Sequence, residues 1–252
     1  MTYCLAIKLD AGLVFVSDSR TNAGVDQIST YSKMHSFGLD GSRQFCLLTA
    51  GNLATTQGII NQVRHDIEQG MPISLMSAGN MEQAADYVGQ ISVMQQQKAG
   101  GGPEFEASVI FGGQIVGGPP EVVLIYPQGN HIATSRTTPY LQIGESKYGK
   151  PILDRILEPK TALPTAVLCG LVSMDSTMRS NVTVGPPIEV LAYKTDAFVL
   201  SARLLLEADS DYLRQLKRNW DEALKQAFRS LPPPAWATIW DQNAEALTSQ
   251  QG

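Results

Sequence analysis

The apolar periodicity of this chain changes in blocks, and that alternation constrains its fold more than any single motif. From Tyr3 to Gly51 the pattern repeats every two residues. "TYCLAIKLD" and "LVFVSDSR" read as two strands joined at Ala11-Gly12, and "AGVDQISTYSKMHSFG" and "RQFCLLTAG" as a second pair turned at Asp40-Gly41. The period then lengthens to that of a helix. "NLATTQGIINQVRHDIEQG" puts Ile59, Ile60, Val63 and Ile67 on one face, with Asn52 as the N-cap and Gly70 as the stop. "NMEQAADYVGQISVMQQQ" sets Ala84, Val88, Ile91 and Met94 in register behind Asn80. Strands return over "EASVIFGGQIV", "EVVLIYPQGN" and "HIATSRTTPYLQIG", followed by helices near "KYGKPILDRIL" and "TALPTAVLCGLVSMDS". The last strands are "VTVGPPIEVLAYKTD" and "AFVLSARLL", and a helical tail, "DYLRQLKRNWDEALKQAFRSL", ends at "PPPAW".

Strands and helices in separate runs predict the α+β class rather than a doubly wound sheet. Two antiparallel sheets, each covered on its outer face by a helix pair, make a four-layer αββα sandwich. No linker separates the halves. The expected organisation is one domain over residues 2–205, with a helical extension over 206–252 packed on it and a loose terminus.

Composition excludes several function classes. The net charge of −5 gives no field that would draw nucleic acid or an anionic membrane. No apolar run approaches the ~18 residues needed to cross a bilayer. The opening residues carry Lys8 and Asp10 in place of an apolar signal segment, so a cytoplasmic location is expected. Cys4, Cys46 and Cys169 sit among apolar neighbours without disulfide or metal-ligand spacing, and the three histidines are scattered. Buried structural thiols are the expected outcome. The basic run in "LRQLKRNW" is balanced by Asp and Glu and reads as a solvated or subunit-packing face.

The chain's first residues raise a chemical question. Thr2 stands directly behind the initiator methionine and ahead of a strand. Removal of Met1 would leave an α-amine and a β-hydroxyl on one residue. An α-amine titrates near ~7.7–8.0 in model peptides, close to the optimum for a general base at neutral pH. Threonine paired with its own terminal amine is a recognised activated nucleophile. Threonine is also common at this position for unrelated reasons, so the reading depends on its neighbours. The chemistry needs a cation to lower the amine's pKa, an anion to hold that cation, and backbone N–H donors for the oxyanion.

The block "SDSRTNAG", a lysine fifteen positions after its aspartate in "STYSKMHSFG", and the "TAG" turn of "CLLTAGN" occur in that order. Together they resemble the catalytic β-type subunits of the proteasome and the related bacterial self-compartmentalising peptidases. More narrowly, the "MTYC" start and the long helical tail resemble the Anbu (ancestral β-subunit) branch. The resemblance covers about residues 2–200 and implies a threonine-type N-terminal nucleophile hydrolase that needs no metal or organic cofactor. It implies Thr2 as nucleophile, Asp18 holding Lys33, Lys33 tuning the Thr2 amine and hydroxyl, and Gly51 giving the oxyanion N–H. Thr21 and Asn22 would flank an extended peptide or amide substrate, and Thr49 with Lys33 would border the first specificity pocket. In the second half the pattern departs from the family's. "IGESKYG" offers Ser146, with Glu145 beside it, where the family has a serine near the amine. "SMDSTMRSN" supplies Asp175 but has Met178 where a serine is expected, leaving Ser176 or Ser180 as substitutes. Self-association into a ring or open spiral is also implied, while the sequence identifies no ATPase partner. Two rivals remain open: a small-molecule amidase of the same fold, and a proteasome-like assembly protein with little turnover.

Overall fold

The computed structural model describes residues 1–22, 28–200, 202–234 and 236. It divides into two compact units, Met1–Ser210 and Asp211–Gly252. In the first unit β1 (Tyr3–Leu9), β2 (Gly12–Asp18), β3 (Arg20–Asn22), β4 (Ile28–Thr30), β5 (Met34–Leu39) and β6 (Arg43–Gly51) precede α1 (Leu53–Glu68) and α2 (Met81–Ala99). Next come β7 (Ala107–Ile115), β8 (Glu121–Ile125), β9 (His131–Ala133), β10 (Tyr140–Gly144), α3 (Lys150–Ile156), α4 (Leu163–Ser180), β11 (Ile188–Lys194) and β12 (Ala202–Leu206).

The strands form two five-stranded antiparallel sheets, ordered β10-β1-β2-β11-β12 and β5-β6-β7-β8-β9, and a small β3-β4 ribbon. Helices α1 and α2 pack on the second sheet, and α4, paired with α3, packs on the first. Both sheets are therefore covered on both faces, and β6 shows the consequence. Cys46 and Leu48 point to the inter-sheet core with Cys4, Phe15 and Ile110, while Phe45 and Leu47 point the other way to Ile59, Val63 and Val88. That double burial is why "FCLLTA" is almost wholly apolar rather than alternating. The fold is the predicted α+β sandwich.

Both helix starts follow from local chemistry. The Asn52 side chain accepts from the Thr55 amide at 3.1 Å and Asn80 from the Gln83 amide at 2.9 Å. Gly70, at φ +61°, follows the α1 C-cap. Two details differ from the sequence reading. Met94 is 45% exposed, because the buried face of α2 turns there to Gln95 and Gln96. "HIATSRTTPYLQIG" is two strands in different sheets: β9 pairs with β8, and β10 pairs with β1. A polar turn closed by Ser135 and Thr138 separates them. The three thiols are free and buried.

The second unit holds α5 (Asp211–Arg229). Leu213, Leu216, Trp220 and Leu224 lie along one stripe of this helix, and none of its residues is fully buried. Among the described residues no helix is long and apolar enough to cross a membrane.

Candidate active site

The beginning of the chain is held where three backbone segments meet. β1 pairs with β2 in antiparallel register, Cys4 opposite Ser17, so the residues ahead of β1 lie beside the end of β2. There the Tyr3 amide donates to Asp18 Oδ1 at 3.0 Å. On the other side β1 pairs with β10, and the Thr2 carbonyl accepts from the Glu145 amide at 2.7 Å. Gly144 makes that approach feasible: it has φ +81°, and a Cβ on it would stand 1.9 Å from the Thr2 carbonyl oxygen. The Tyr3 ring secures the same corner from below, its hydroxyl 2.6 Å from Ser173 Oγ on α4 and accepting from Gln142 Nε2 on β10 at 2.6 Å.

Lys33, just ahead of β5, reaches into this corner. Its ammonium donates to Asp18 Oδ1 at 2.8 Å and to the Arg20 carbonyl at 2.6 Å. The Gly185 amide donates to Asp18 Oδ2 at 3.3 Å. Asp18 has no exposed surface and Lys33 is 7% exposed. Burial raises the Asp18 carboxyl above its ordinary pKa, opposed by the Lys33 ammonium and by the Tyr3 and Gly185 amides. Every one of those partners is a donor, so the geometry serves the ionised carboxylate. With Met1 in place, burial lowers the pKa of the terminal ammonium; Lys33 lowers it further and Asp18 opposes the change. The lysine's charge is thus felt at the start of the chain.

β6 closes the site. The Thr49 amide donates to the Lys33 carbonyl at 3.0 Å, tying this strand to the lysine. Gly51 ends the strand at φ +116°, and a Cβ there would meet the Glu106 carbonyl at 2.3 Å, so both backbone conformation and space demand glycine. Thr2, Thr21, Lys33, Thr49 and Gly51 line a single cleft of about 420 Å³ with Asp18 buried beside it. The Thr21 hydroxyl is buried and without a hydrogen-bond partner among the described residues. Asn22 closes β3, but its side chain lies outside the described residues, as do residues 23–27 of the "SDSRTNAG" block.

Ser146 and Asp175 are not among the residues lining the cleft. The Ser146 carbonyl accepts from Lys150 N and Gln142 Nε2, at 3.3 and 3.4 Å. Asp175 is buried on α4, where Ser176 is half-buried and Ser180 exposed. Glu145 is bonded to Thr2 through its backbone N–H, while its buried carboxylate accepts from Asn181 Nδ2 at 3.2 Å. Sequence reasoning missed Gly144, Gln142, Ser173 and the Tyr3 hydroxyl. The glycine directly after "LQI" was the one local signal available, since glycine at a strand end marks a close backbone approach.

As an assembly, the site presents a threonine at the mouth of a cleft, a buried ammonium–carboxylate pair beside it and a glycine turn across from it. That arrangement suits attack by a hydroxyl on a carbonyl. No family model and no curated protein matches the chain. Several solved structures do. Anbu (ancestral beta-subunit) from Yersinia bercovieri is 42% identical, with 92% of this chain and 99% of that chain covered and a TM-score of 0.89. The helical assembly of the Anbu complex from Pseudomonas aeruginosa is 42% identical, over 93% and 99% of the two chains, with a TM-score of 0.89. An Anbu (Gly-1) mutant from Hyphomicrobium sp. strain MC1 is 42% identical over 93% and 99%, with a TM-score of 0.88.

Proposed function

Because the chain belongs to the Anbu (ancestral β-subunit) family, with its proteasome-related fold, we propose that it is a threonine-type N-terminal nucleophile hydrolase. The observation that carries this reading is the single cleft shared by Thr2, Lys33 and Gly51, with Asp18 hydrogen-bonded to both Lys33 and the Tyr3 amide. Removal of Met1 frees the Thr2 amine. Thr2 Oγ1 attacks the amide carbonyl and its proton passes to that amine, which hands it to the departing nitrogen. An ester to Thr2 forms as the C–N bond breaks. The same amine then takes a proton from water as it attacks the ester, and returns that proton to Thr2 Oγ1 as the C–O bond breaks and the acid is released. The Gly51 N–H stabilises the tetrahedral oxyanion in both halves. Lys33 keeps the amine's pKa low enough for it to act as a base, and Asp18 holds Lys33. Thr21 and the end of β6 flank the substrate as strand edges would. By the family pattern, Ser146 and Asp175 complete the catalytic group by serving the hydrogen bonding of the Thr2 amine.

Copies of this chain associate into an open spiral or closed ring, in keeping with the helical assembly described for the Pseudomonas aeruginosa protein. The apolar stripe of α5 is an apt interface element. Substrates are peptides, with small amides as the alternative, and the protein is placed in the cytoplasm.

Intact-mass measurement on native protein is expected to show loss of Met1, and a β-lactone probe is expected to add its mass at Thr2. Thr2→Ala should abolish the adduct. A native protein that retains Met1, or a wild type that takes no label, overturns the reading. Hydrolysis of peptides as against small amides across a mixed panel decides the substrate class.

A further inference from the structure

Beyond Thr2 and Gly51, the cleft is walled by α1 and by the segment that leads into β5. Leu53, Thr56, Gln57, Ile60, Asn61 and Arg64 form one continuous stripe of α1, spaced at i, i+3, i+4, i+7, i+8 and i+11. Across from them stand Lys33, just ahead of β5, and His35 within it. His35 is therefore about 7 Å further along the wall than Lys33, from two residues at about 3.3 Å each.

The charge of this lining is one-sided. Among the described residues no carboxylate lines the cleft, although the whole chain has a net charge of −5. Lys33 is neutralised by Asp18 at 2.8 Å. Arg64 is not: its guanidinium touches Asn61 Oδ1 at 3.3 Å, and among the described residues it forms no ion pair. Glu68, one turn on, lines an adjoining recess together with Arg64, His35 and Arg203, and the last of these is paired with the buried Glu189. His35 stands beside Arg64. Burial pushes its pKa down to about 4, and the charges of Arg64 and Arg203 act in the same direction against that of Glu189. At neutral pH it is an uncharged imidazole whose one N–H is taken by the Ser32 backbone carbonyl.

We propose that the cleft selects an acidic peptide, taking Asp or Glu at the residue whose carbonyl Thr2 attacks, with Arg64 as the charge partner. This rests on Thr2 as the nucleophile. A glutamate carboxyl stands roughly 4–5 Å from its Cα, three C–C bonds of about 1.5 Å each. A side chain entering past Lys33 and Thr49 thus comes to the level of His35, and the long Arg64 side chain covers the remainder. An uncompensated cation in a partly enclosed cleft favours a carboxylate over its neutral isostere, and it disfavours a second cation.

The test compares tripeptide epoxyketones that differ only in carrying Glu, Gln, Leu or Lys at this residue, with the rate of Thr2 labelling read by intact mass. Wild type should label with Glu about tenfold faster than with Gln, about 1.4 kcal/mol. That ratio should fall below about twofold in Arg64→Met, and Arg64→Glu should favour Lys over Gln. Salt at 0.5 M should compress the wild-type ratio, because Arg64 is solvent-accessible. In parallel, the Thr2→Ala protein is titrated with acetylated tripeptide amides ending in Glu or Gln, followed by NMR, and Glu should bind more tightly. If Thr2 never labels but the Glu preference in binding persists and depends on Arg64, the nucleophile reading fails and the acidic pocket stands. Equal handling of Glu and Gln in both arms, including no detectable binding of either, overturns the pocket. So does a Glu preference that survives Arg64→Met.

Discussion

Gly144→Ala isolates the contact that places the nucleophile. The new methyl carbon would lie 1.9 Å from the Thr2 carbonyl oxygen and 2.7 Å from its carbonyl carbon, both backbone atoms. A tolerated C···O contact is about 3.3 Å, so the two strands must separate locally by about 1.4 Å. No flexible side chain can absorb that movement. Misplacing a reacting group by about 1 Å can lower a rate by ~100-fold, and a loss at least that large is expected in the rate of β-lactone labelling at Thr2. The substitution also forces an alanine to φ +81°, at roughly 1–2 kcal/mol, and disturbs the Glu145–Thr2 hydrogen bond, worth about 1 kcal/mol. Together these lower stability by about 2–3 kcal/mol, or Tm by about 5–10 °C for a unit of this size. Gly41→Ala is the control. Its φ is +77°, but nothing lies within 4 Å of the added Cβ, so it carries the backbone strain without the clash. It should lose about 1–2 kcal/mol and label as fast as wild type. A folded Gly144→Ala protein that labels at the wild-type rate would refute the claim that this contact positions Thr2.

Two further perturbations probe the electrostatics. Lys33→Met leaves the Asp18 carboxylate buried with only backbone donors, which should lower stability by about 3–5 kcal/mol at pH 7 in urea titration and abolish labelling. Since burial already raises the Asp18 pKa and the lysine opposes that rise, the variant's folded state gains affinity for a proton; the deficit should shrink as pH falls toward the ordinary carboxylate range, and a deficit that does not change with pH contradicts this account. His35 titrates at about 4 in the folded chain against 6.5 ordinarily, so the unfolded state binds the extra proton between those values. Its contribution is present above pH 6.5 and is lost as pH falls through that window, by at most about 3 kcal/mol and less in proportion to solvent access. His35→Gln should flatten that part of the stability–pH curve measured by urea titration; an unchanged slope would place the titration elsewhere.

Much of this molecule is determined locally and is therefore legible in its sequence. The two-residue and 3.6-residue periods, the Asn52 and Asn80 caps, the Asp40-Gly41 turn and the α+β class each depend on a few neighbouring residues, which behave alike wherever they occur. The roles of Asp18, Lys33 and Gly51 were legible only through the resemblance of their blocks to a known family, since Asp18 and Lys33 are buried and nothing local distinguishes them from structural residues. Contacts between distant segments could not be read from local pattern. The division of "HIATSRTTPYLQIG" between two sheets, the 142-residue separation bridged by the Thr2–Gly144 approach, and the positions of Glu145 and Ser146 depend on how β10 pairs with β1. The union of the α1 stripe with Lys33 and His35 in one cleft likewise depends on packing across layers. Periodicity states which face of an element is apolar; only the tertiary arrangement decides which other face it meets, because that choice is made by the joint packing of all the layers.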